Sequence, residues 1–208
     1  MRKIQQPIIL LIMLFVFITV ITGCSSSGSR DVDYGKYTGA TSPNFQQAVL
    51  EEVNFARTNP SGYAKERLTS GTDNGAYEDM MQRTVVGALE LENNLCNAAS
   101  KYAQYMAENN VFGHEEYSKP AERCKAVGYN YFSGENIAAG GSNNLNAEQN
   151  PTQAAAEFVK MLIIDKGVAS LGHRNNIMSS SHKKLGVGFA RNTSSTYVNY
   201  MVQDFGSK

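Results

Sequence analysis

The stretch LGVGFARNTSSTYVNYMVQDF, residues 185–205, decides the fold class, because its side-chain pattern differs from that of the preceding chain. Residues 185–190 and 196–205 alternate and are rich in β-branched and aromatic side chains, and the polar residues 191–195 separate them. Two alternating runs joined by a short polar segment are typical of an antiparallel hairpin. The sequence therefore predicts a C-terminal β-hairpin.

Apolar residues upstream of the hairpin recur every three or four positions, which is the period of an amphipathic helix. Ser42 before Pro43 is a helix start, and Asn59-Pro60 ends the segment that follows. Residues 61–92 have no clear period, and residues 77–87 fit either a short helix or an ordered loop. Helices followed by a hairpin indicate an α+β fold. The predicted helices cover residues 43–57, 93–109, 120–127 and 151–164.

The N-terminus has the pattern of a cleavable signal peptide. Arg2 and Lys3 precede an uninterrupted apolar run over residues 8–20. A bilayer span needs about 20 apolar residues, so a transmembrane anchor is the weaker interpretation. Ile21-Thr22-Gly23-Cys24 resembles the lipobox of bacterial lipoproteins, and the alternative is an ordinary secretory signal with a coincidental cysteine. We expect cleavage before Cys24 and lipidation of Cys24.

These features divide the chain into a signal peptide over residues 1–23, a lipid-anchored flexible tether over 24–42 and one domain over 43–208. The tether is rich in Ser, Gly, Asp and Thr and lacks an apolar period. The predicted location is the cell envelope, outside the cytoplasm. The predicted membrane contact is the lipid on Cys24, since acyl chains hold a protein on a bilayer without a spanning helix.

Charge and cysteine content limit the classes of partner. Removal of Arg2 and Lys3 with the signal peptide leaves 17 basic and 19 acidic side chains. This balance argues against a nucleic-acid partner, because nucleic-acid-binding domains carry a basic patch. Cys96 and Cys124 remain in the predicted domain, and for an exported chain they are either a disulfide or two buried free thiols.

Three short motifs place polar side chains among small residues. The chain has no HExxH, paired CxxC or GxSxG motif, so the common zinc-protease, zinc-ribbon and esterase patterns are absent. On spacing alone, each histidine is more often a structural hydrogen-bonding residue than a metal ligand. His182 lies in a polar stretch and is predicted to be solvated. The motifs are Phe112-Gly113-His114, Gly134-Glu135-Asn136-Ile137 and Gly172-His173-Arg174.

These motifs, with Asn54 and Arg57 before them and Leu185-Gly186-Val187-Gly188 after them, resemble the bacterial branch of the CAP superfamily, also called the SCP domain. The resemblance implies a three-layer α-β-α sandwich with a small antiparallel sheet. It also implies a surface cleft that holds two histidines and two acids. By position, three of these residues are His114, Glu135 and His173. Arg174 and Asn136 are predicted to satisfy nearby acid, carbonyl or loop groups.

The fourth cleft residue departs from the family pattern. The family has a Glu three residues after a Trp, and here Asp165 and Leu162 occupy these two positions. The acid is therefore one methylene shorter, and the aromatic side chain is missing. The predicted cleft set is His114, Glu135, Asp165 and His173.

The cleft residues suggest more than one function. Two neutral imidazoles with one or two carboxylates are able to hold zinc or another divalent cation. The resemblance implies a non-enzymatic binding module for a lipid, glycan or protein ligand. The alternative is a metal-dependent hydrolase of the cell envelope, in which His114, His173 and Asp165 hold zinc while Glu135 activates water. A third hypothesis is a structural lipoprotein with an inert cleft.

Overall fold

The computed structural model describes Tyr37 and residues 40–208. The predicted signal peptide, Cys24 and most of the predicted tether lie outside the described residues. Within this part of the chain, no helix combines the length and apolar character that a bilayer span requires. The elements are α1 (Pro43–Thr58), α2 (Pro60–Arg67), α3 (Ala76–Gln82), β1 (Glu90–Leu91), α4 (Asn93–Asn109), α5 (Pro120–Ala126), β2 (Phe132–Gly140), a 3-10 turn (Asn143–Leu145), α6 (Pro151–Ile164), α7 (Gly172–Ile177), β3 (Lys184–Arg191) and β4 (Asn199–Gly206).

The predicted helices are confirmed as α1, α4, α5 and α6, with ends within one residue of the predicted positions. Asn59 separates α1 from α2, because its side-chain oxygen accepts the Gly62 N–H at 3.0 Å and caps the second helix. The segment without a clear period contains α2, α3 and β1. Over residues 77–87 the sequence predicts either a short helix or an ordered loop. The structure has a short helix, α3, that ends at Gln82, and residues 83–87 are not helical.

The predicted hairpin is confirmed as β3 and β4, which pair antiparallel with Leu185 opposite Phe205. The sheet order is β1-β3-β4-β2, and β1 pairs parallel with β3, so the sheet is mixed rather than purely antiparallel. The strand β2 contains the Gly134 motif and has no counterpart in the sequence prediction. Residues 135–138 are all buried, so this strand lacks the alternation that identifies a half-buried strand.

Helices cover both faces of the sheet, which confirms the α-β-α sandwich. Met201 and Phe205 of β4 share one core cluster with residues of α1 and α6. Tyr200 and Val202, which point to the opposite face, share a second cluster with residues of α4. Every residue of β4 is buried as a result.

Two glycines of β3 let α4 lie directly against the sheet. A Cβ on Gly188 would be 2.1 Å from the carbonyl carbon of Ala99, and a Cβ on Gly186 would be 2.2 Å from that of Leu95. Any larger residue would push the helix away from the strand. This contact gives the Leu185-Gly186-Val187-Gly188 motif its structural reason.

Tyr37 and Thr41, which lie within the predicted tether, contact the domain. Tyr37 is buried, and its ring lies 5.6 Å from that of Tyr105. Thr41 Oγ1 accepts the Phe189 N–H at 2.8 Å and lies 2.7 Å from Ser100 Oγ. Each contact joins one residue to a distant part of the chain, so it produces no periodic pattern from which the sequence could predict it.

Cys96 and Cys124 are free buried thiols, so the disulfide alternative is wrong. The Val187 N–H donates to Cys96 Sγ at 3.5 Å, whereas Cys124 packs with Leu95 and Tyr129. Successive helix positions are rotated by about 100°, so Cys96 points away from the cluster that its neighbour Leu95 joins. Burial raises the pKa of Cys96 to about 11 and raises that of Cys124 as well. Both thiols are therefore protonated at neutral pH.

Candidate functional site

His114 lies in the loop between α4 and α5 and pairs with Glu135 of β2. Its Nδ1 is 2.7 Å from Glu135 Oε1. The His114 side chain is 47% exposed, whereas that of Glu135 is only 2% exposed. A carboxylate only accepts hydrogen bonds, so Nδ1 of the neutral imidazole carries the proton. The other ring nitrogen, Nε2, then offers its lone pair to a ligand.

His173, the second residue of α7, pairs with Asp165 at the end of α6. Its Nδ1 is 2.7 Å from Asp165 Oδ1. The second oxygen, Oδ2, accepts the backbone N–H of His173 at 3.0 Å and that of Arg174 at 3.3 Å. Asp165 ends α6 in the left-handed conformation, with φ of 53°, which Asp adopts more readily than most residues. This turn directs the short carboxylate to the start of α7.

The structure brings all four predicted cleft residues together as two histidine–carboxylate pairs. The centroids of the His114 and His173 rings are 6.4 Å apart, and the ring planes differ by 24°. In each pair Nδ1 is bound to the carboxylate, so the same nitrogen, Nε2, is left for a ligand on both rings. The family resemblance implies the members of this set but not which acid pairs with which histidine.

Arg123 of α5 supports the first pair and is absent from the sequence prediction. Its guanidinium binds Glu135 Oε2 and donates to the His114 carbonyl oxygen at 2.9 Å. It also stacks on Tyr102, with the guanidinium carbon 3.5 Å from the ring centroid. The Arg123 residue is 1% exposed. An arginine on a short helix gives no local sign of this role, because its partners lie on other elements.

Asp204 of β4 lies directly opposite Glu135 in the sheet and is fully buried. Its carboxyl group lies beside the carboxyl group of Glu135 and the thiol of Cys124. Burial and then the Glu135 charge raise the pKa of Asp204 well above its usual value, while Arg123 opposes this shift. Two polar residues in succession, Gln203-Asp204, inside an otherwise apolar strand are the sequence sign that could have identified it.

His182 is buried rather than solvated, which corrects the prediction for this residue. It is 3% exposed, its ring stacks on Phe205 at 4.8 Å, and its Nδ1 lies 2.7 Å from Ser133 Oγ. Burial and then the nearby charge of Arg57 lower the pKa of His182 to about 4. It is therefore neutral at physiological pH. Its polar sequence neighbours misled the prediction.

Arg174 and Asn136 connect the site to its surroundings. Arg174 Nε donates to the Ile163 carbonyl oxygen at 2.6 Å, and Nη1 lies 3.2 Å from Asp79 Oδ2, which confirms its predicted carbonyl and acid partners. Asn136 lies within β2, and its Nδ2 donates to the His173 carbonyl oxygen at 3.2 Å. The two halves of the site are thus joined through one side-chain amide.

An apolar groove of about 210 Å³ opens beside His173. Phe112 and Met161 on its wall are 41% and 40% exposed, and the Phe112 ring lies 5.3 Å from that of Tyr197. Exposed large apolar side chains around a groove are typical of a binding surface. A larger cavity, of about 310 Å³, is lined by residues of α1, α4 and β3 and by none of the four cleft residues. Cavity size alone therefore does not identify the site.

The donor set of the cleft limits how a cation would be held. Across Tyr37 and residues 40–208, no group of three or more His, Cys, Asp or Glu side chains converges on one metal position. Both carboxylates are already bound to their own histidine, an arrangement that commonly supports a metal-ligating imidazole. The Nε2 atoms of the two imidazoles would be the only side-chain ligands that this cleft offers a divalent cation, and water or a bound molecule would have to complete its coordination.

Comparisons with known proteins identify a family. The family model described as the cysteine-rich secretory protein family, CAP, matches residues 50–205. The solved structure of BmVAL-1 is 18% identical with a TM-score of 0.51, and the match covers 88% of this chain and 82% of that one. An outer surface protein from Borrelia burgdorferi is 16% identical with a TM-score of 0.47, and the match covers 76% of this chain and 93% of that one. A search of curated protein sequences gave no match.

Proposed function

Since the chain belongs to the cysteine-rich secretory protein (CAP) family, we propose that it is a lipid-anchored binding module of the cell envelope whose cleft binds a ligand through His114 and His173. One observation carries this proposal: two solvent-accessible imidazoles, with side chains 47% and 21% exposed, each have Nδ1 fixed on a carboxylate, which leaves Nε2 for a ligand. A lone pair on Nε2 accepts a hydrogen bond or binds a divalent cation such as zinc. The apolar groove beside His173 would hold a nonpolar part of an envelope lipid, glycan or protein.

The geometry supports binding better than hydrolysis. In the hydrolase alternative Glu135 activates water, but one of its oxygens is bound to His114 and the other to Arg123. Catalytic zinc sites have three protein ligands. Here Asp165 is bound by His173 and by two backbone N–H groups, so only the two imidazoles are left as protein ligands for zinc. A bound cation would polarise a ligand or bridge it to the protein.

The test of the cleft is calorimetric titration of the purified full chain in detergent with zinc. We expect binding to the wild type and its loss in the double variant His114→Ala, His173→Ala. The matched control is His182→Gln. It removes the one histidine that does not belong to the cleft, and it should keep the wild-type affinity for zinc. Equal zinc binding by the double variant and the wild type would exclude a metal role for the two histidines.

A separate experiment tests the hydrolase alternative. The wild type and Glu135→Gln, each loaded with zinc, are assayed on ester and amide model substrates. A binding module gives no turnover above the solvent reaction in either protein. Zinc-dependent turnover in the wild type that disappears in Glu135→Gln, with zinc still bound, would replace the binding proposal with the hydrolase.

The anchor has its own test, which does not depend on the cleft. Mass spectrometry of the protein purified from bacterial membranes should find acyl chains on an N-terminal Cys24. The Cys24→Ser variant should lose the acyl chains and leave the membrane fraction. An unmodified Cys24 in membrane-bound wild type would contradict the lipoprotein assignment.

A further inference from the structure

We infer that Arg123 is a positioning residue of the cleft, and that it fixes which ring nitrogen His114 presents to a ligand. The observation is that the Arg123 guanidinium contacts both members of the His114–Glu135 pair. It holds the carboxylate of Glu135 and the backbone carbonyl of His114 at the same time. The backbone and the hydrogen-bond partner of the imidazole are therefore located by a single group.

The direction of the Glu135 carboxylate follows from this contact. Arg123 takes Oε2, so Oε1 is the oxygen that remains for His114 Nδ1. An imidazole in water can carry its proton on either nitrogen, and the hydrogen bond of one nitrogen decides the tautomer. A charge-assisted hydrogen bond to an ordered carboxylate selects the Nδ1–H form strongly. Arg123 thus keeps the Nε2 lone pair of His114 on the ligand side.

Tyr102 of α4 holds Arg123 and the same loop. Its ring lies under the guanidinium, and its hydroxyl donates to the Gly113 carbonyl oxygen, next to His114. The hydroxyl also accepts the Glu116 N–H at 3.3 Å. The Arg123 guanidinium additionally binds the Ser118 carbonyl oxygen. One aromatic–guanidinium stack therefore fixes the loop on both sides of the imidazole.

Arg57 is the matched comparison, because it is equally buried and also binds backbone carbonyls. Its guanidinium donates to the carbonyl oxygens of Gly87 at 2.8 Å and of Ile177 at 2.6 Å, among others. No carboxylate is bonded to it within the described residues. A change at Arg57 should disturb stability without acting on the cleft histidines.

The experiment measures the tautomer of each histidine by 15N NMR of the full chain in detergent micelles, with 15N-labelled histidine, at a constant alkaline pH. The chain has three histidines, so single variants assign every signal. We compare the wild type with Arg123→Lys, which keeps the charge but cannot bind Glu135 and two carbonyls in one plane. The control variant is Arg57→Lys.

The expected result is a loss of about tenfold in the ratio of Nδ1–H to Nε2–H at His114 in Arg123→Lys, the size expected when one hydrogen bond to a charged group is weakened. His173 should keep its ratio of the two tautomers in the same sample, because its partner Asp165 is held by backbone N–H groups and not by Arg123. Arg57→Lys should change neither histidine. If Arg123→Lys does not fold, Tyr102→Leu removes the ring beneath the guanidinium, and a smaller shift at His114 alone is expected.

An unchanged His114 ratio in folded Arg123→Lys or Tyr102→Leu overturns the inference. Equal changes at His114 and His173 also overturn it, since they indicate a general loosening of the domain. The inference takes from the proposed function only that Nε2 of His114 faces a ligand. The measurement uses no ligand, so its failure is distinguishable from a failure of the zinc titration.

Discussion

The two halves of the cleft have the same histidine–carboxylate distance, 2.7 Å, but different supports. In the first half, Glu135 sits on a strand beside a buried arginine and a buried carboxyl, Asp204. In the second half, Asp165 is held by backbone N–H groups at the start of α7. The first half therefore depends on side-chain charges inside the protein, and the second depends on the local path of the chain.

This difference has an energetic consequence. Removing one partner of a buried ion pair leaves an uncompensated charge, which is costly. Replacing a carboxylate that accepts backbone N–H groups weakens hydrogen bonds but leaves no buried charge. The halves should consequently respond unequally to single substitutions, although they present the same chemical group to a ligand.

The largest effect is expected for Arg123→Met, which leaves Glu135 buried without its cation. We expect the free energy of unfolding at pH 8 to fall by about 3–5 kcal/mol, measured by urea denaturation. The control is Arg67→Met at the partly exposed pair with Glu52, where the loss should be about 0–1 kcal/mol. Equal losses in the two variants would mean that the Arg123–Glu135 pair is not a buried support.

A smaller effect is expected in the second half for Asp165→Asn. Asn tolerates the left-handed backbone at this position, so the substitution changes the acceptors without adding strain. The free energy of unfolding should fall by about 1–3 kcal/mol, in the same denaturation assay. Asp73→Asn, at a half-buried Asp that also accepts a backbone N–H, is the control. A loss as large as that of Arg123→Met would remove the difference between the halves.

The next prediction concerns His182, which lies against Ser133 at the start of the strand that carries Glu135. Its pKa is about 4 in the folded protein and about 6.5 in the unfolded chain. The unfolded state therefore binds more protons between these values, and stability falls as the pH falls from 6.5 to 4. The slope due to this group is at most about 1.4 kcal/mol per pH unit. His182→Gln should lack this component of the slope in denaturation experiments across this pH range.

An effect of the opposite sign in its pH dependence is expected for Asp204→Asn. Because the pKa of Asp204 is raised in the folded state, its contribution to stability is complete below pH about 4 and is lost as the pH rises through the folded pKa. The variant should therefore gain stability relative to the wild type as the pH increases. Urea denaturation from pH 4 to pH 9 measures this gain. A wild-type slope retained by the variant would show that another group titrates.

The sequence by itself determined four of the helices and the hairpin. The positions of α1, α4, α5 and α6 follow from apolar spacing and from Pro and Asn at their ends, which are local features. The resemblance to the CAP family also gave the four residues that the structure brings together in the cleft, three through the ordered motifs and Asp165 through its position after Leu162. Such features are legible in one sequence because each is encoded over a few neighbouring residues.

Only the tertiary structure decided how these residues are supported. The strand β2 has no periodic pattern because both of its faces are covered. Arg123, Asp204 and the buried His182 acquire their roles from partners on other elements. The free thiols Cys96 and Cys124 follow from the direction in which α4 faces the sheet. Burial and charge pairing depend on which elements meet, and a local pattern contains no information about that.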